Sequence, residues 1–385
     1  MMKGEDDMGK FGHKVQIDLN PLAYNICLLG ESGIGKSTLA KEVCQKLAGD
    51  DGYIALDIGK EDGHKAISGI ISEKCDTWAK YMEVVEDITE NKQNDYPNLK
   101  MVVIDTYDQL CDLAEKETVR VWNQKLRAQG KPQIDTINSA FGGYGKGLDK
   151  AIDLMLDSFW KLKDVGVSVF IIAHVRRTDI TDVMTEESYT MLTASTTQKY
   201  FSAIKQKVDF IGMGYIDREM VKVQTQKKDA NGNTISKNKV SGESRVINFR
   251  DDTYSVDSKS RFAEIIDRIP FNADAFIQAL QDAILKEQAK DGVSLEDAKK
   301  IQAEKEKAKE EKAKRASEDI KQQKANEEAE ASREEILNFI KEKFVNATTE
   351  QKTTIKKSLA DAGFKTMTDP EVPIQLLIEV KKTLM

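Results

Sequence analysis

The chain has 385 residues, of which 40% are hydrophobic and 32% charged, enough for one large folded core and a smaller second unit. Its formal net charge of -7 and pI near 5.4 exclude bulk electrostatic attraction to nucleic acid, so any contact with DNA needs a local basic surface. A mean hydropathy of -0.50 indicates that part of the chain is solvated rather than packed.

Short apolar runs alternate with helical patterns over the first half of the chain. Buried strands are predicted at residues 25–29, 53–57, 101–105 and 167–173. Helices are predicted from about Lys36 to Gly49 or Gly52, and over 64–91, 106–127 and 148–164. Because the strands are almost continuously apolar and alternate with helices, they predict a parallel sheet covered on both faces.

The pattern changes after Val208. Two strands, at 210–226 and 244–249, flank a basic segment, Lys227 to Lys239, which contains Asn-Gly. This arrangement predicts a β-hairpin that closes the core. A last short helix is predicted over 272–290.

The C-terminal third has a different composition. From about Ser294 to Arg333 it consists mainly of Ala, Glu, Lys and Gln, which favours a solvated helical or partly disordered linker over a coiled coil. Apolar periodicity returns near Ile336 and predicts a small helical domain. The predicted division is an N-terminal extension (1–20), a core (21–290), a charged helical linker (291–333) and a C-terminal helical domain (334–385).

Cysteine spacing and hydropathy predict a reduced, cytoplasmic protein. The cysteines are Cys27, Cys44, Cys75 and Cys111. They form no close pair of the kind that zinc or redox sites require. No apolar run approaches the ~18 residues of a membrane span, and the first 14 residues lack the apolar stretch of a signal peptide.

A glycine-rich loop joins the first predicted strand to the first predicted helix. It consists of Gly30, Glu31, Ser32, Gly33, Ile34, Gly35, Lys36 and Ser37, and Thr38 follows. The segment matches G-x-x-x-x-G-K-[ST], in which glycines let the backbone wrap phosphate oxygens and the helix N-terminus attracts them. Lys36 adds a positive charge, and Ser37 is expected to ligate Mg²⁺. The loop therefore predicts binding of a nucleoside triphosphate, most simply ATP with Mg²⁺.

Asp105 ends the third predicted strand, where an α/β sheet presents side chains to a ligand. A carboxylate there would complete the metal site begun by Ser37. The alternative is a strand-ending aspartate that only caps the next helix. Thr106 and Asp108 are polar neighbours that could assist.

Hydrolysis also needs a carboxylate that orients the attacking water. The loop after the second strand carries Asp57, Glu61 and Asp62, and Glu61 is favoured over Asp57. His174 follows the strand at 167–173 and could sense the γ-phosphate by hydrogen bonding, while Arg176 and Arg177 could meet phosphate or DNA. A polar residue that simply ends a strand is the alternative for His174.

Taken together, these segments resemble the RecA-like P-loop ATPases, and within them the phage-encoded group that includes the single-strand annealing ATPases. The resemblance rests on Gly30 to Ser37, Met101 to Thr106, Phe170 to His174 and Ser258 to Phe262, within roughly residues 20–290. It implies an α/β RecA-like core with a mostly parallel central sheet, followed by a C-terminal β-hairpin. It also implies that His174 relays the state of the γ-phosphate to DNA-binding loops, and it places a phage-encoded protein in the bacterial host cytoplasm.

The same resemblance implies a homo-oligomer with nucleotide sites at subunit interfaces. Lys259 and Arg261 match the Lys-x-Arg-Phe element that reaches the neighbouring subunit's nucleotide in relatives. The sequence departs from the family pattern in lacking a glycine after Phe262 and in carrying the expected glutamate later, at Glu61. The alternative is that the two cations form an ordinary surface pair or fasten the hairpin to the predicted helix 272–290.

Two segments are candidates for single-stranded DNA. One is Gln129 to Lys146, which contains Tyr144 among glycines, and the other is Arg176 to Lys207, rich in Thr, Ser and Lys. The first functional hypothesis is a RecA-like ATPase that acts on single-stranded DNA in recombination, annealing or replication. The second is a nucleotide-switched adaptor that recruits a protein partner through 334–385. A third makes the charged helix the main functional part.

Overall fold

A computed structural model of the protein describes residues 17–181, 186–228, 234–250, 259–290, 292, 294–369 and 372–384. The strands are β1 (Ile26–Gly30), β2 (Tyr53–Ile58), β3 (Ser72–Cys75), β4 (Met101–Asp105), β5 (Ser168–Thr181), β6 (Ser188–Ala194), β7 (Phe210–Lys228), β8 (Thr234–Asn248), β9 (Lys259–Ser260) and β10 (Arg268–Pro270). The helices are α1 (Lys36–Ala48), α2 (Trp78–Asn91), α3 (Tyr107–Ala128), α4 (Lys146–Asp164), α5 (Gln198–Lys205), α6 (Ala273–Ala289), α7 (Leu295–Phe344), α8 (Thr349–Asp361) and α9 (Ile374–Leu384).

One sheet organises the first two thirds of the chain. Its strand order is β10-β8-β7-β1-β5-β4-β2-β3. β1 pairs in parallel with β5 and β7, and β4 pairs in parallel with β5 and β2. The pairs at one side, β7 with β8 and β8 with β10, are antiparallel. This confirms the predicted α/β core with a mostly parallel central sheet and a hairpin on its C-terminal side.

Helices cover the sheet, as its continuously apolar strands require. Ile26 and Leu28 of β1 pack in one cluster with Leu39 of α1 and Phe276 of α6. Helices α3 and α4 pack against each other and against β5. Because side chains alternate along a strand, the fully buried Cys27 of β1 faces away from the first cluster. The sheet is thus the middle layer of a three-layer core.

The periodicity predicted one helix over 64–91, and this prediction is wrong. A 3₁₀ turn, Gly63–Ala66, is followed by the edge strand β3, and α2 begins only at Trp78. Two local features explain the break. Gly69 has a left-handed φ of 67°, and the Thr77 side chain accepts a hydrogen bond from Lys80 N, which caps α2.

Strand β5 continues past its predicted end at residue 173 and pairs with β6, so that Val175 lies opposite Ala194 and Thr181 opposite Ser188. The segment Arg176 to Lys207, a candidate for contact with single-stranded DNA, therefore contains an antiparallel extension and the helix α5. The polar residues of these strands suit a ladder exposed on both faces. One cross-strand hydroxyl pair, Thr178 with Thr193, lies at 2.7 Å.

The hairpin of β7 and β8 is longer than predicted. Its second strand begins at Thr234, ten positions before the predicted start, and backbone pairing reaches Lys228 with Thr234. Residues 229–233 of the predicted basic tip lie outside the described residues. From Lys239 to Glu243 the side chains of β8 are exposed or half-buried, and such a strand needs no apolar alternation, which is why the sequence pattern ended early.

The chain divides into two compact units, 1–315 and 316–385. The predicted boundaries at 290 and 333 do not coincide with this division, because the charged segment and the start of the C-terminal domain form the single 50-residue helix α7. Within the first unit, Gln302 of α7 bonds Asp18 (2.7 Å) and Leu19 N (3.1 Å). Residues 1–16 of the predicted extension lie outside the described residues.

The second unit has its own core. Ile340, Ile355, Leu377 and Val380 are buried together, and they come from the end of α7, from α8 and from α9. Thr348 and Gln351 form a capping box at the start of α8. Within the described part of the chain, every helix is too short or too polar to cross a membrane. The four cysteines are free thiols and all are buried.

Candidate functional site

The glycine-rich loop lies between β1 and α1, at the carboxyl edge of the sheet. Gly33 and Gly35 have left-handed φ values of 75° and 107°, which let the loop curl around the start of α1. At Gly30 a side chain is excluded for another reason, because a Cβ there would lie 2.9 Å from the carbonyl oxygen of Gly214. Ser32, Gly33 and Thr38 are exposed. The loop is therefore open to a ligand, with the helix N-terminus directed at it.

Lys36 folds back over this loop. Its side chain is only 6% exposed, and Nζ donates hydrogen bonds to the carbonyl oxygens of Gly30 and Glu31, both at 3.0 Å. Burial lowers the pKa of Lys36, and the nearby carboxylates of Asp105, Asp108 and Glu61 act in the opposite direction. These contacts hold the ammonium group against the backbone at the start of the loop.

Asp105 and Ser37 are in contact at the carboxyl edge of the sheet. The Ser37 hydroxyl donates a short hydrogen bond to Asp105 Oδ2. The same carboxylate oxygen lies 3.0 Å from Nε2 of His64, and both side chains are buried. Sequence reasoning did not single out His64, because its segment was interpreted as the start of a helix. A lone histidine in an acidic loop carries no spacing signal that would have identified it.

Strand β2 and the loop after it bring two other predicted carboxylates, Asp57 and Glu61, near the site. Asp57 lies directly opposite Asp105 on the neighbouring strand and 3.3 Å from Lys74 Nζ. Burial raises the pKa of Asp57, while His64 and Lys74 lower it. Lys74 also contacts the carbonyl oxygen of Glu61. The Glu61 side chain is half-buried, and its charge partly offsets the lowering of the Lys36 pKa by burial. Glu61, Asp57 and Asp105 therefore lie at the same end of the sheet.

His174 lies beside the start of the loop, since it pairs with Gly30 across β1 and β5. Its backbone N–H donates to Asp108 Oδ2 at 2.9 Å, and its Nδ1 lies 3.4 Å from the same oxygen. Three residues on, Arg177 lies 3.7 Å from Glu31 Oε1. The end of the central part of β5 thus touches the glycine-rich loop through both a histidine and an arginine.

Arg245 is a further neighbour that the sequence did not reveal. It stands on β8, and its guanidinium donates to the carbonyl oxygen of Ile34 at 3.2 Å. Phe271, which follows β10, packs against Gly214 and Gly35. The hairpin therefore supports the outer side of the loop.

Arg261 lies at the opposite end of the sheet from the loop of its own chain. Ser260 pairs with Phe210 at the start of β7, and Phe210 pairs with Ile26 at the start of β1, whereas the loop follows the end of β1. The Arg261 guanidinium lies 3.3 Å from Asp209 and donates to Gln206 O at 2.9 Å. Lys259 contributes its backbone to β9. Ser258 lies outside the described residues.

The two segments predicted to meet DNA are in contact. Lys199 of α5 donates to Gly145 O at 3.2 Å and pairs with Asp149 at 2.6 Å. Beside Gly145, Tyr144 is fully exposed, and its φ of 52° is left-handed. The aromatic ring is thus held out from the surface by an ordered turn.

A strand, phosphate loop and helix, with Lys36 over the loop and Asp105 against Ser37, define a P-loop nucleoside triphosphatase. A family model described as an AAA domain matches residues 22–262, and the chain belongs to this family of P-loop ATPases. The match covers the phosphate loop, Asp105 and the strands β1 to β9, and it ends before β10. No curated protein matches the chain.

Among solved structures, the chain is similar to a prototypical ATPase from the type III secretion system of pathogenic bacteria. The identity is 13% and the TM-score 0.30. The similar region covers 54% of this chain and 60% of that ATPase, so the chain spans less than two thirds of its length.

Proposed function

We propose that this P-loop ATPase uses ATP with Mg²⁺ to act on single-stranded DNA in phage-type recombination, annealing or replication. The observation that carries the proposal is a contact path from the phosphate loop to an exposed aromatic turn. His174 pairs with Gly30 and leads into the β5–β6 extension, and α5 then contacts the turn at Tyr144 through Lys199. Aromatic rings and cations of this kind bind single strands by stacking and by backbone attraction.

The residues at the loop fit an Mg²⁺ ion. Mg²⁺ takes one or two protein oxygens and fills its remaining positions with phosphate oxygens and water. Ser37 Oγ and Asp105 Oδ2 already lie within hydrogen-bonding distance of each other, so one ion would be held by both. The ion supplies positive charge that stabilises the transferring phosphoryl group, and Lys36 supplies a second charge from the chain itself.

Water activation falls to a carboxylate of the loop after β2. We assign it to Glu61, which is half-buried and within electrostatic reach of Lys36. Asp57 is the less suitable candidate, because it is almost fully buried and already paired with Lys74. A general base must reach the attacking water, and the more open side chain meets that requirement.

Oligomerisation completes the proposed site. Arg261 is half exposed and stands at the far end of β1 from its own phosphate loop, so it serves a nucleotide only if a second copy presents one. With Lys259, it is proposed to act on the neighbouring subunit's nucleotide. Cations supplied in this way stabilise transition-state charge and link turnover to assembly.

A second candidate function rests on the C-terminal unit. Residues 316–385 have a core of their own and a capped helix α8. Such a unit suits an adaptor whose nucleotide state controls the recruitment of a replication or recombination protein through 334–385. In that case the partner protein, and not DNA, should accelerate turnover.

The test is ATP hydrolysis by the purified chain, with and without single-stranded DNA, at several salt concentrations. DNA should raise the rate, and the effect should fall steeply as salt increases. Tyr144→Ala should lower the DNA-stimulated rate by ~10-fold or more, since stacking contributes about 1–3 kcal/mol per base. Trp160→Ala, which removes another exposed aromatic side chain, is the matched control and should leave the stimulated rate unchanged.

Lys36→Ala should abolish hydrolysis under every condition. Hydrolysis that DNA does not change at any salt concentration, in a protein that Lys36→Ala inactivates, would remove the DNA proposal and leave the adaptor function. Hydrolysis that persists in Lys36→Ala would remove the P-loop assignment itself.

A further inference from the structure

His64 is the most buried ionisable group at the site that no step of the proposed hydrolysis uses. It lies on the 3₁₀ turn Gly63–Ala66 between β2 and β3, and 5% of its side chain is exposed. Burying a polar ring is costly unless its nitrogens are paired. The ring therefore needs a specific reason to be there.

Its hydrogen bond identifies that reason. Nε2 lies 3.0 Å from Asp105 Oδ2. A carboxylate oxygen accepts, so Nε2 of His64 is the donor in this bond. Nδ1 is buried and has no hydrogen-bond partner within the part of the chain that the structure describes. The hydrogen bond that the His64 ring makes is therefore directed at Asp105.

Asp105 Oδ2 thus accepts from two donors, the Ser37 hydroxyl and the His64 ring. Two donors on one oxygen restrict the rotation of the carboxylate. Hydrogen bonds from outside a metal site commonly orient the ligands in this way. The carboxylate is therefore held in one orientation before any ion arrives.

The turn that carries His64 is itself anchored. Ile67 N donates to His64 O at 3.0 Å. On the adjacent strand β3, Lys74 pairs with Asp57 at 3.3 Å and contacts the carbonyl oxygen of Glu61, three residues before His64. The turn is thus fastened to both β2 and β3, which lets it hold the ring in place.

We infer that His64 is a positioning residue for the Mg²⁺ site, which holds the Asp105 carboxylate in the orientation that binds the ion together with Ser37. The inference rests on the proposed function, in which Ser37 and Asp105 bind Mg²⁺. It makes the loop after β2 part of the metal site as well as the source of the water-activating carboxylate.

The test measures how Mg²⁺ strengthens ADP binding, which needs no turnover. ADP affinity is measured by calorimetry in EDTA and over a series of Mg²⁺ concentrations. His64→Leu, which removes the donor, should need ~10-fold more Mg²⁺ for half of the full effect, since losing such an orienting partner typically costs 10–100-fold in metal affinity. ADP affinity in EDTA should stay within about twofold of the wild type, because Lys36 and the loop are unchanged.

His64→Gln keeps an N–H donor on a flexible side chain and should recover most of the lost Mg²⁺ response. His64→Phe has an aromatic ring without an N–H donor. If His64→Leu fails to fold, the Mg²⁺ requirement of ADP binding is measured with His64→Phe instead. Lys65→Ala, on the same turn but with 79% of its side chain exposed, is the control and should behave as the wild type.

Each outcome decides something different. An unchanged Mg²⁺ requirement in His64→Leu or His64→Phe would overturn the inference. The inference would also be overturned if His64→Leu lost ADP affinity equally in EDTA and in Mg²⁺ and His64→Gln did not recover it. That result would show that His64 has a purely structural role. ADP binding by the wild type that ignores Mg²⁺ would instead overturn the proposed metal site.

Discussion

Ser37 and Asp105 are 68 residues apart in the chain, yet the hydroxyl of one donates a hydrogen bond to the carboxylate of the other. Ser37 belongs to the first turn of α1, and Asp105 is the last residue of β4. The strand β5 lies between β1 and β4 in the sheet. The start of α1 must therefore reach across the end of β5, the strand on which His174 pairs with Gly30.

Asp105→Asn should lose Mg²⁺-dependent hydrolysis by ~10²-fold or more, because the amide keeps the shape of the carboxylate but not its charge. Nucleotide binding in EDTA should persist, since Lys36 and the loop are intact. Steady-state hydrolysis and equilibrium ADP binding measure the two effects. Asp50→Asn, at an exposed position, is the control, and a normal rate in Asp105→Asn would show that Asp105 is only structural.

Arg261→Ala should lower turnover by ~10³-fold while ATP affinity changes little, if the guanidinium acts in the transition state at a neighbouring subunit. Mixing it with Lys36→Ala should restore activity, since a random mixture places both intact groups at about one interface in four. Hydrolysis by the mixture, compared with each protein alone, measures this rescue.

The control for this experiment is Arg268→Ala. Arg268, like Arg261, is about half exposed and pairs with an aspartate, in its case Asp217. Its loss should leave turnover unchanged. A mixture that co-assembles but stays as inactive as its components would show that Arg261 only fastens β9 to Asp209 and Gln206.

A chain that ends after Arg315 should keep the stability and basal hydrolysis of the full protein, because it keeps the first compact unit whole. A chain that ends at Lys290 loses the bonds of Gln302 and Lys309 to Asp18, and the buried Ala313. It should unfold ~5 °C lower, which corresponds to about 2 kcal/mol for a unit of this size. Thermal unfolding of both truncated chains measures the difference, and equal midpoints would show that the start of α7 contributes nothing.

Lys92 gives the protein a pH dependence in the alkaline range. It is 5% exposed, Nζ donates to Tyr96 O (2.9 Å) and Pro97 O (3.0 Å), and burial lowers its pKa to about 8. Between pH 8 and the usual lysine pKa, the unfolded chain holds a proton that the folded chain has released. The contribution of Lys92 to stability therefore rises with pH over that window, by at most ~1.4 kcal/mol per pH unit.

Lys92→Met should remove this rise. Denaturant unfolding of both proteins from pH 7.5 to 10 gives the free energy of unfolding at each pH, and the difference between the two proteins isolates Lys92. The same substitution at the exposed Lys131 should leave the pH dependence as in the wild type. Parallel curves for Lys92→Met and the wild type would contradict the assignment.

The parallel core could be predicted because each of its strands is buried on both faces and carries an apolar run. The phosphate loop and Asp105 could be predicted because each ends such a strand. The outer strands could not. Strand β3 is the sequence Ser-Glu-Lys-Cys with only Cys75 buried, so nothing apolar marks it, and its formation depends on pairing with β2.

His64 and Arg245 could not be predicted for a related reason. Each acts through a contact between segments far apart in the chain, His64 with Asp105 and Arg245 with Ile34. No local spacing records such a contact. Burial then removes these side chains from solvent, but the sequence alone does not tell which polar residues of a loop turn inward.

The buried thiols make the protein its own reporter of local opening. Burial raises the pKa of all four thiols, to about 12 for Cys44 and Cys75, so almost no thiolate is present at neutral pH. An alkylating reagent can then react with a thiol only when transient local opening exposes it to solvent. Cys27 sits in β1, the strand that leads into the phosphate loop, and Cys75 ends the edge strand β3. The alkylation rate of each thiol therefore measures how often the structure around that cysteine opens, and no added label is needed.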